Sequence, residues 1–187
     1  MKTVTIFGSS LPPEHTSAYH EAVALGRALA QQGLAVCNGG YGGLMEASAR
    51  GACDAGGHTI GITCCLWSRK ANPWIKEEVH TASFPERIMT LIARGDAYLV
   101  LPGGTGTLAE LALAWELMNK SVLAATVGGR KPLLLLGSYW QPVIECLDQE
   151  PKLASPTPDR HLAAMELITV VPDAAAAAQV LAGRLRE

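Results

Sequence analysis

The stretch that decides the fold runs from residue 97 to residue 110 and reads AYLVLPGGTGTLAE. Residues 97–101 form a continuous apolar run, which is typical of a parallel strand that is covered on both faces. Residues 102–107 form a glycine-rich turn, and the apolar spacing after it predicts a helix from about residue 108 to residue 119. A strand that passes through a short turn into a helix is the repeating unit of α/β proteins.

The same alternation of short aliphatic runs and longer helical stretches extends outward along the chain. The predicted strands cover residues 3–7, 34–37, 58–63, 97–101, 133–136 and 167–171. The predicted helices cover residues 17–32, 44–55, 84–94, 108–119, 139–149 and 173–186. Residues 64–82 are predicted to be irregular, and residues 150–160 to be a proline-rich loop. The pattern predicts an α/β protein, with one Rossmann-like, doubly wound, mostly parallel sheet and helices on both faces.

The composition limits the domain count and the class of partner. A length of 187 residues with 49% apolar residues suits one domain over residues 1–187. The net charge of −2 gives no basic excess, which argues against nucleic acid or an anionic membrane as the partner. We find neither a membrane-spanning apolar run nor a signal-peptide pattern. Five cysteines without a C-x-x-C pair, and histidines without ligand spacing, predict a cytoplasmic protein with no metal site.

Three turns that are rich in glycine or small residues each follow a predicted strand and precede a predicted helix. They cover residues 8–10, 39–43 and 102–107. Glycine lets the backbone approach a ligand closely, and the free amides at the start of a helix favour an anion. The turns therefore predict a phosphate or nucleotide site at the carboxyl ends of the strands. The chain has no G-x-x-x-x-G-K-[ST] motif, which excludes a P-loop NTPase, and no dinucleotide fingerprint with a distal acid.

The spacing leaves two interpretations for each of two charged residues. Glu110 forms T-x-x-E with Thr107, so it is either part of a capping box or a carboxylate beside the anion site. In the second case the helix start would keep it ionised, and it would stabilise an oxocarbenium ion or position a water. Arg87 follows the S-x-x-E cap of residues 83–86 and lies one place from the buried stripe. It is either a surface charge or, if it faces the crevice, a group that binds phosphate or a departing base.

Aromatic and apolar side chains leave two further alternatives open. Trp67 and Trp74 lie in the irregular segment, where they either stack on a base or pack against the core or a second copy. The predicted helix of residues 108–119 is apolar on most sides. This pattern predicts a homodimer, with burial in a large core as the alternative.

The motif P-G-G-x-G-T-x-x-E of residues 102–110 resembles the signature of the LOG ("lonely guy") family, whose members are also called possible lysine decarboxylases. Residues 8–10, 39–45, 55–62 and 86–87 resemble further segments of that family, so the resemblance covers most of the chain. It implies a Rossmann-like fold, a dimer, and hydrolysis of the N-glycosidic bond of a nucleoside 5′-monophosphate to free base and ribose 5-phosphate. It implies no metal and no organic cofactor. Nothing in the sequence forms the pyridoxal phosphate site of an amino-acid decarboxylase.

The resemblance also implies which residues form the site. Arg87 and Glu110 match the catalytic arginine and glutamate of the family. The implied substrate-binding residues are Gly8, Ser9, Gly40, Gly42, Gly43, Met45, Gly103, Gly104, Thr105, Gly106 and Thr107. The chain departs from the family at Ile88, where a basic residue is usual, and at Ala109, where a glutamate is usual. Residues 42–47 also resemble molybdenum-cofactor carriers of the same fold, so a carrier that binds without hydrolysis is the alternative function.

Overall fold

The computed structural model describes residues 1–149 and 164–186. The strands in these ranges are β1 Thr3–Phe7, β2 Ala35–Asn38, β3 Thr59–Cys64, β4 Glu77–Thr81, β5 Ala97–Val100, β6 Leu133–Leu136 and β7 Ile168–Val171. The helices are α1 Ser17–Gln31, α2 Leu44–Asp54, α3 Phe84–Arg94, α4 Thr105–Asn119, α5 Ser121–Thr126, α6 Gln141–Asp148 and α7 Ala174–Arg184. A short 3₁₀ helix, Ala164–Leu167, precedes β7. None of these helices is both long and apolar enough to cross a bilayer.

All seven strands form one parallel sheet in the order β4-β3-β2-β1-β5-β6-β7. The predicted doubly wound, Rossmann-like sheet is confirmed, and it is wholly rather than mostly parallel. The strand order reverses at β1, which pairs with β2 on one side and with β5 on the other. Because ligands of such sheets bind beyond the carboxyl ends of the strands at this reversal, the turns after β1 and β5 are the expected place for a site.

The sheet is covered on both faces, as predicted. Apolar residues of α1, α2 and α7 pack on one face against alternate side chains of β1 and β5, such as Ile6 and Leu99. Apolar residues of α3 and α4 pack on the other face, against Tyr98 and Val100. Successive side chains of a strand point to opposite faces of the sheet, so a strand with helices packed on both faces needs apolar residues at every position. This is why the aliphatic runs of the sequence are continuous.

Three local predictions are wrong. β4 lies within residues 64–82, which were predicted to be irregular, and α5 follows α4 where the sequence predicts no helix. α4 begins at Thr105, three residues before the predicted start. The predicted loop at 150–160 lies outside the described residues, and a single domain over the whole chain stays a prediction.

Two glycines allow α1 and α2 to touch through their backbones. A Cβ at Gly26 would overlap the carbonyl oxygen of Ser48, and a Cβ at Gly51 would overlap the carbonyl oxygen of Val23. Neither obstacle is a flexible side chain that could move aside. The contact fixes α2 against the sheet, and α2 carries Met45 at its first turn.

Gly51→Ala should therefore lower the free energy of unfolding by about 1–3 kcal/mol, because the two helices must separate to admit the methyl group. Urea denaturation followed by circular dichroism measures the change. Gly183→Ala is the matched control: Gly183 lies in α7, and a Cβ there meets nothing within 4 Å. The control should be neutral or stabilising by about 0.5–1 kcal/mol. Equal stabilities for the two variants would contradict the close packing.

Candidate functional site

A cavity of about 410 Å³ opens beside the switch point of the sheet. Its walls come from the turns after β1, β2 and β5, from the loop after β3, and from the first turns of α3 and α4. The lining residues are Gly8, Ser9, Ser10, Leu11, Tyr41, Met45, Trp67, Arg69, Phe84, Arg87, Gly104, Thr105, Gly106, Thr107 and Glu110. The cavity therefore lies where the strand order predicts a ligand.

The start of α4 presents backbone amides to this cavity. The helix is capped by Gly104 without a side-chain hydrogen bond. The amide of Leu108 donates to the carbonyl oxygen of Gly104 at 2.9 Å, which is the first hydrogen bond within the helix. The amides of residues 105–107 come before that bond and have no carbonyl partner inside the helix. With the positive end of the helix dipole behind them, they favour an anion.

The position of Glu110 contradicts two expectations from the sequence. Because α4 begins at Thr105, Thr107 is the third residue of the helix rather than its cap, so the capping box is wrong. Glu110 is the sixth residue, beyond the first turn in which the helix dipole acts most strongly. Its side chain is buried. Burial raises the pKa of the Glu110 carboxyl to about 7, although the charge of Arg87 opposes the shift, so the helix start does not hold it ionised.

Arg87 is positioned by the cap of its own helix. The side-chain oxygen of Ser83 accepts from the amide of Glu86 at 3.3 Å, and the carboxylate of Glu86 accepts from the amide of Ala82 at 2.8 Å. This arrangement fixes the first turn of α3 and confirms a structural role for Glu86. Arg87, the next residue, is only 5% exposed, so the interpretation as a surface charge is wrong.

The guanidinium of Arg87 is held on several sides. Its Nε donates to the carbonyl oxygen of Ile62 at 2.8 Å, and its Nη2 donates to that of Gly39 at 3.2 Å. Its central carbon also lies 5.6 Å from the ring centre of Tyr41 and 5.4 Å from that of Trp67, two rings that pack edge-on against each other. These contacts leave Nη1 as the nitrogen that faces the acid of α4.

Arg87 Nη1 lies 3.6 Å from Glu110 Oε1. That separation is too long for a hydrogen bond, so the two groups attract each other without saturating each other. Both side chains line the cavity and are about nine-tenths buried. The pair can therefore offer a donor and a carboxylate to one small ligand in a site where little water screens them.

A glycine that sequence reasoning did not single out determines where Arg87 lies. A Cβ at Gly39 would overlap Arg87 Nη2 and would crowd the sulfur of Met45. The cluster of glycines at 39–43 marks the turn in the sequence. It does not indicate which glycine meets a side chain from another element. The ring of Tyr41 is fixed in the same turn, because its hydroxyl accepts from the amide of Cys64 at 2.9 Å.

Most of the predicted site residues lie in the cavity wall, and four do not. Gly40, Gly42, Gly43 and Gly103 are absent from the wall. Gly40 and Gly43 have positive φ angles of 77° and 66°, and Gly43 fits against the backbone of residues 9–10. A Cβ at Gly103 would overlap the side chain of Thr107. Gly40, Gly43 and Gly103 therefore shape the turns that carry the wall, whereas a Cβ at Gly42 would meet only the carbonyl oxygen of Ser10 at 3.8 Å.

Several lining residues were not named as site residues. Ser10 and Tyr41 lie within the predicted turns, and Leu11, Arg69 and Phe84 lie outside them. The ring of Trp67 packs edge-on against Tyr41 and Phe84, which confirms the packing interpretation. Trp67 also lines the cavity, and its stacking on a base stays a prediction. Trp74 does not line the cavity and lies 5.3 Å from the guanidinium carbon of Arg50. Within residues 1–149 and 164–186, no three His, Cys, Asp or Glu side chains are grouped so that they could hold a metal ion.

Comparison with known proteins assigns the chain to a family. The family model described as "SLOG cluster4 family" matches residues 1–147. A relative from Rhodococcoides fascians, named cytokinin riboside 5′-monophosphate phosphoribohydrolase, is 31% identical over 153 residues, which are 79% of this chain and 74% of that protein. A protein of the same name from Mycobacterium tuberculosis is 34% identical over 116 residues, which are 60% of this chain and 62% of that protein.

A solved structure shares the fold over almost the whole chain. The molybdenum cofactor binding protein from Rippkaea orientalis superposes with a TM-score of 0.75 over 98% of this chain and 97% of that one, at 18% identity. At that identity the likeness concerns the fold alone. The family model and the Rhodococcoides relative show more: this chain belongs to the SLOG cluster4 family and is a member of the LOG family.

Proposed function

We propose that this chain hydrolyses the N-glycosidic bond of a nucleoside 5′-monophosphate and releases the free base and ribose 5-phosphate. The observation that carries the proposal is the buried Arg87–Glu110 pair, which shares one cavity with the uncapped start of α4. The names of the relatives at about 30% identity support it. The phosphoryl group of the substrate would accept hydrogen bonds from the amides of residues 105–107.

The spacing along α4 suits such a substrate. A helix rises about 1.5 Å per residue, so the backbone of Glu110 lies roughly 6 Å beyond the amide of Gly106. The bonds that join the phosphorus of a nucleotide to its C1′ carbon span a similar length. A phosphate at the start of the helix therefore places C1′ near the Glu110 carboxylate, and the base extends toward Arg87.

The reaction then needs little beyond positioning and charge. As the bond from C1′ to the base nitrogen breaks, its electron pair goes to the base, and positive charge develops on C1′ and the ring oxygen. The ionised Glu110 stabilises that charge and accepts a proton from the water whose oxygen bonds to C1′. Arg87 Nη1 donates a hydrogen bond toward the departing base. The base takes up, through solvent, the proton that Glu110 accepted from the water, which returns Glu110 to its ionised form. In a buried site these fixed charges act more strongly than they would in water.

The test is chromatographic. AMP and isopentenyladenosine monophosphate are incubated with the protein, and free base and ribose 5-phosphate are quantified. We expect equal amounts of both products from at least one nucleotide. If no nucleoside monophosphate releases base at high protein concentration, the proposal is falsified. Tight binding without turnover would instead favour the carrier alternative.

The pKa of Glu110 gives the proposal a pH dependence. Burial raises that pKa to about 7 in the ligand-free chain, and the ionised carboxylate is the active form, so kcat should rise with pH across the neutral range and then level off. The measurement uses saturating AMP, because the second ionisation of a phosphate monoester falls near pH 6 and would otherwise contribute. A kcat that falls through pH 7 would mean that the protonated acid is the active form.

We further propose that the chain acts in the cytoplasm as a homodimer. On the face covered by α3 and α4, Met89 remains 39% exposed and Leu108 remains 37% exposed. Most of the other large apolar residues of α4 are buried within the chain, so the core accounts for much of its apolar surface. Sedimentation velocity at micromolar concentration should show a dimer, and a single monomeric species would remove the proposal.

A further inference from the structure

The cavity contains a second guanidinium that the proposed reaction does not use. Among the described residues that line it, the cationic side chains are Arg69 and Arg87. A nucleoside monophosphate brings up to two negative charges, and Glu110 on the same wall adds repulsion when it is ionised. The charge balance of the site therefore depends on how many free N–H donors and how much unpaired positive charge each arginine presents to the ligand.

Arg87 has few N–H donors and little unpaired charge available for a phosphate. Of its five N–H groups, the one on Nε donates to Ile62 and one on Nη2 donates to Gly39. Nη2 also lies 4.0 Å from the sulfur of Met45, and the two N–H groups on Nη1 face Glu110. Its positive charge is already opposed by the buried carboxylate 3.6 Å away. A bidentate grip on a phosphate needs two parallel free donors, and the fixed orientation of Arg87 does not present them.

Arg69 differs on each of these points. It lies on the loop between β3 and β4, and its side chain is exposed while lining the cavity. The loop backbone is anchored, because the amide of Cys65 donates to the carbonyl oxygen of Thr81 at 3.0 Å. At the other end, the buried side chain of Asn72 donates to the carbonyl oxygens of Gly40 and Tyr41 at 3.1 and 2.9 Å. A fixed backbone thus carries a long cationic side chain at the cavity wall.

We propose that Arg69 binds the phosphoryl group of the substrate together with the amides at the start of α4. The identity of the ligand rests on the proposed function. Arg69 supplies the charge-assisted hydrogen bonds that Arg87 cannot supply, and it distinguishes a nucleotide from the corresponding nucleoside. It is a binding residue and takes no part in bond cleavage.

The test compares Arg69→Ala with Lys70→Ala. Lys70 is the adjacent residue of the same loop, carries the same charge and does not line the cavity. Isothermal titration calorimetry with AMP, ribose 5-phosphate and adenosine measures affinity, and circular dichroism checks the fold. Arg69→Ala should weaken the binding of AMP and of ribose 5-phosphate by about tenfold or more, and it should leave the affinity for adenosine unchanged. It should also reduce the salt dependence of AMP binding and raise KM with kcat largely retained. Lys70→Ala should match the unsubstituted protein.

Each result separates the role of Arg69 from the reaction itself. The proposal is overturned if Arg69→Ala binds both phosphorylated probes as tightly as the unsubstituted protein does. It is equally overturned if the substitution weakens adenosine binding as much as it weakens the binding of those probes. It is also overturned if the unsubstituted protein binds neither phosphorylated probe. If ribose 5-phosphate binds in an Arg69-dependent way and no nucleotide is hydrolysed, the role of Arg69 stands and the proposed function fails.

Discussion

Glu110→Gln should lower kcat for AMP by about 10²–10³-fold while AMP still binds. The amide keeps the shape of the side chain and an oxygen toward Arg87. It loses the negative charge that would stabilise C1′ and the basicity that would take a proton from water. Initial rates by chromatography and AMP affinity by calorimetry separate the two effects.

The matched control is Glu116→Gln, six residues further along α4. Glu116 is partly exposed and pairs with Lys120, and it does not line the cavity, so its charge should matter little there. Activity of Glu110→Gln within a few fold of that of Glu116→Gln would contradict a chemical role for the buried acid.

The same substitution should alter how stability depends on pH. The pKa of Glu110 rises from an ordinary value of 4.5 to about 7 on folding, so the folded chain binds that proton more tightly than the unfolded chain. The contribution of this group to stability is therefore complete below about pH 4.5 and is lost as pH rises through about 7. Glu110→Gln should remove that part of the pH dependence, with the largest relative gain in stability above pH 7.

The second large effect is expected from Gly39→Ala, a substitution that changes no polar group of the site. The added Cβ would overlap Arg87 Nη2, so the guanidinium must leave its hydrogen bond to the carbonyl oxygen of residue 39. A displacement of about 1 Å in a positioned catalytic group costs on the order of 10²-fold in rate. We therefore expect kcat/KM for AMP to fall by about that factor.

Gly42→Ala, in the same turn, is the control for this experiment. A Cβ at Gly42 would meet only the carbonyl oxygen of Ser10, at an ordinary 3.8 Å. Its effect on kcat/KM should be much smaller, and both variants should keep their helical content. Full activity of Gly39→Ala would show that the position of Arg87 does not matter to the reaction.

The sequence predicted the sheet well because the physical signals of parallel strands are local. The run at residues 97–101 and the glycines after it are read directly from neighbouring residues, and β5 ends within one residue of its prediction. β4 was missed because it lies at the edge of the sheet, where, within the described part of the chain, its one strand partner is β3. Its sequence, from Glu77 to Thr81, carries exposed charged residues in place of an apolar run.

The start of α4 was missed for a related reason. Gly104 caps it without a side-chain hydrogen bond, and Gly106 in its first turn has low helix propensity. The usual signals of a helix start are absent there, so the T-x-x-E spacing indicated a later one. The missing side-chain cap is also what leaves the amides free for a ligand.

The burial of Arg87 could not be predicted from the sequence alone. Helical periodicity places it one position from the apolar stripe, and its partners are backbone carbonyls of residues 39 and 62, far away in the chain. Only the family resemblance indicated that it belongs to the site. Arg69 carried no signal, because pattern rules say little about side chains in irregular segments. Tyr41 lies in the turn at 39–43 that the sequence marks, but the pattern does not indicate which way its ring points.

A crystal structure of Glu110→Gln soaked with AMP would show where the nucleotide lies. We expect the phosphoryl oxygens at about 2.7–3.2 Å from the amides of residues 105–107. We expect C1′ to face the side chain at position 110, with the base toward Arg87. AMP bound with its phosphate away from the start of α4, or a cavity that stays without nucleotide at saturating AMP, would contradict the account.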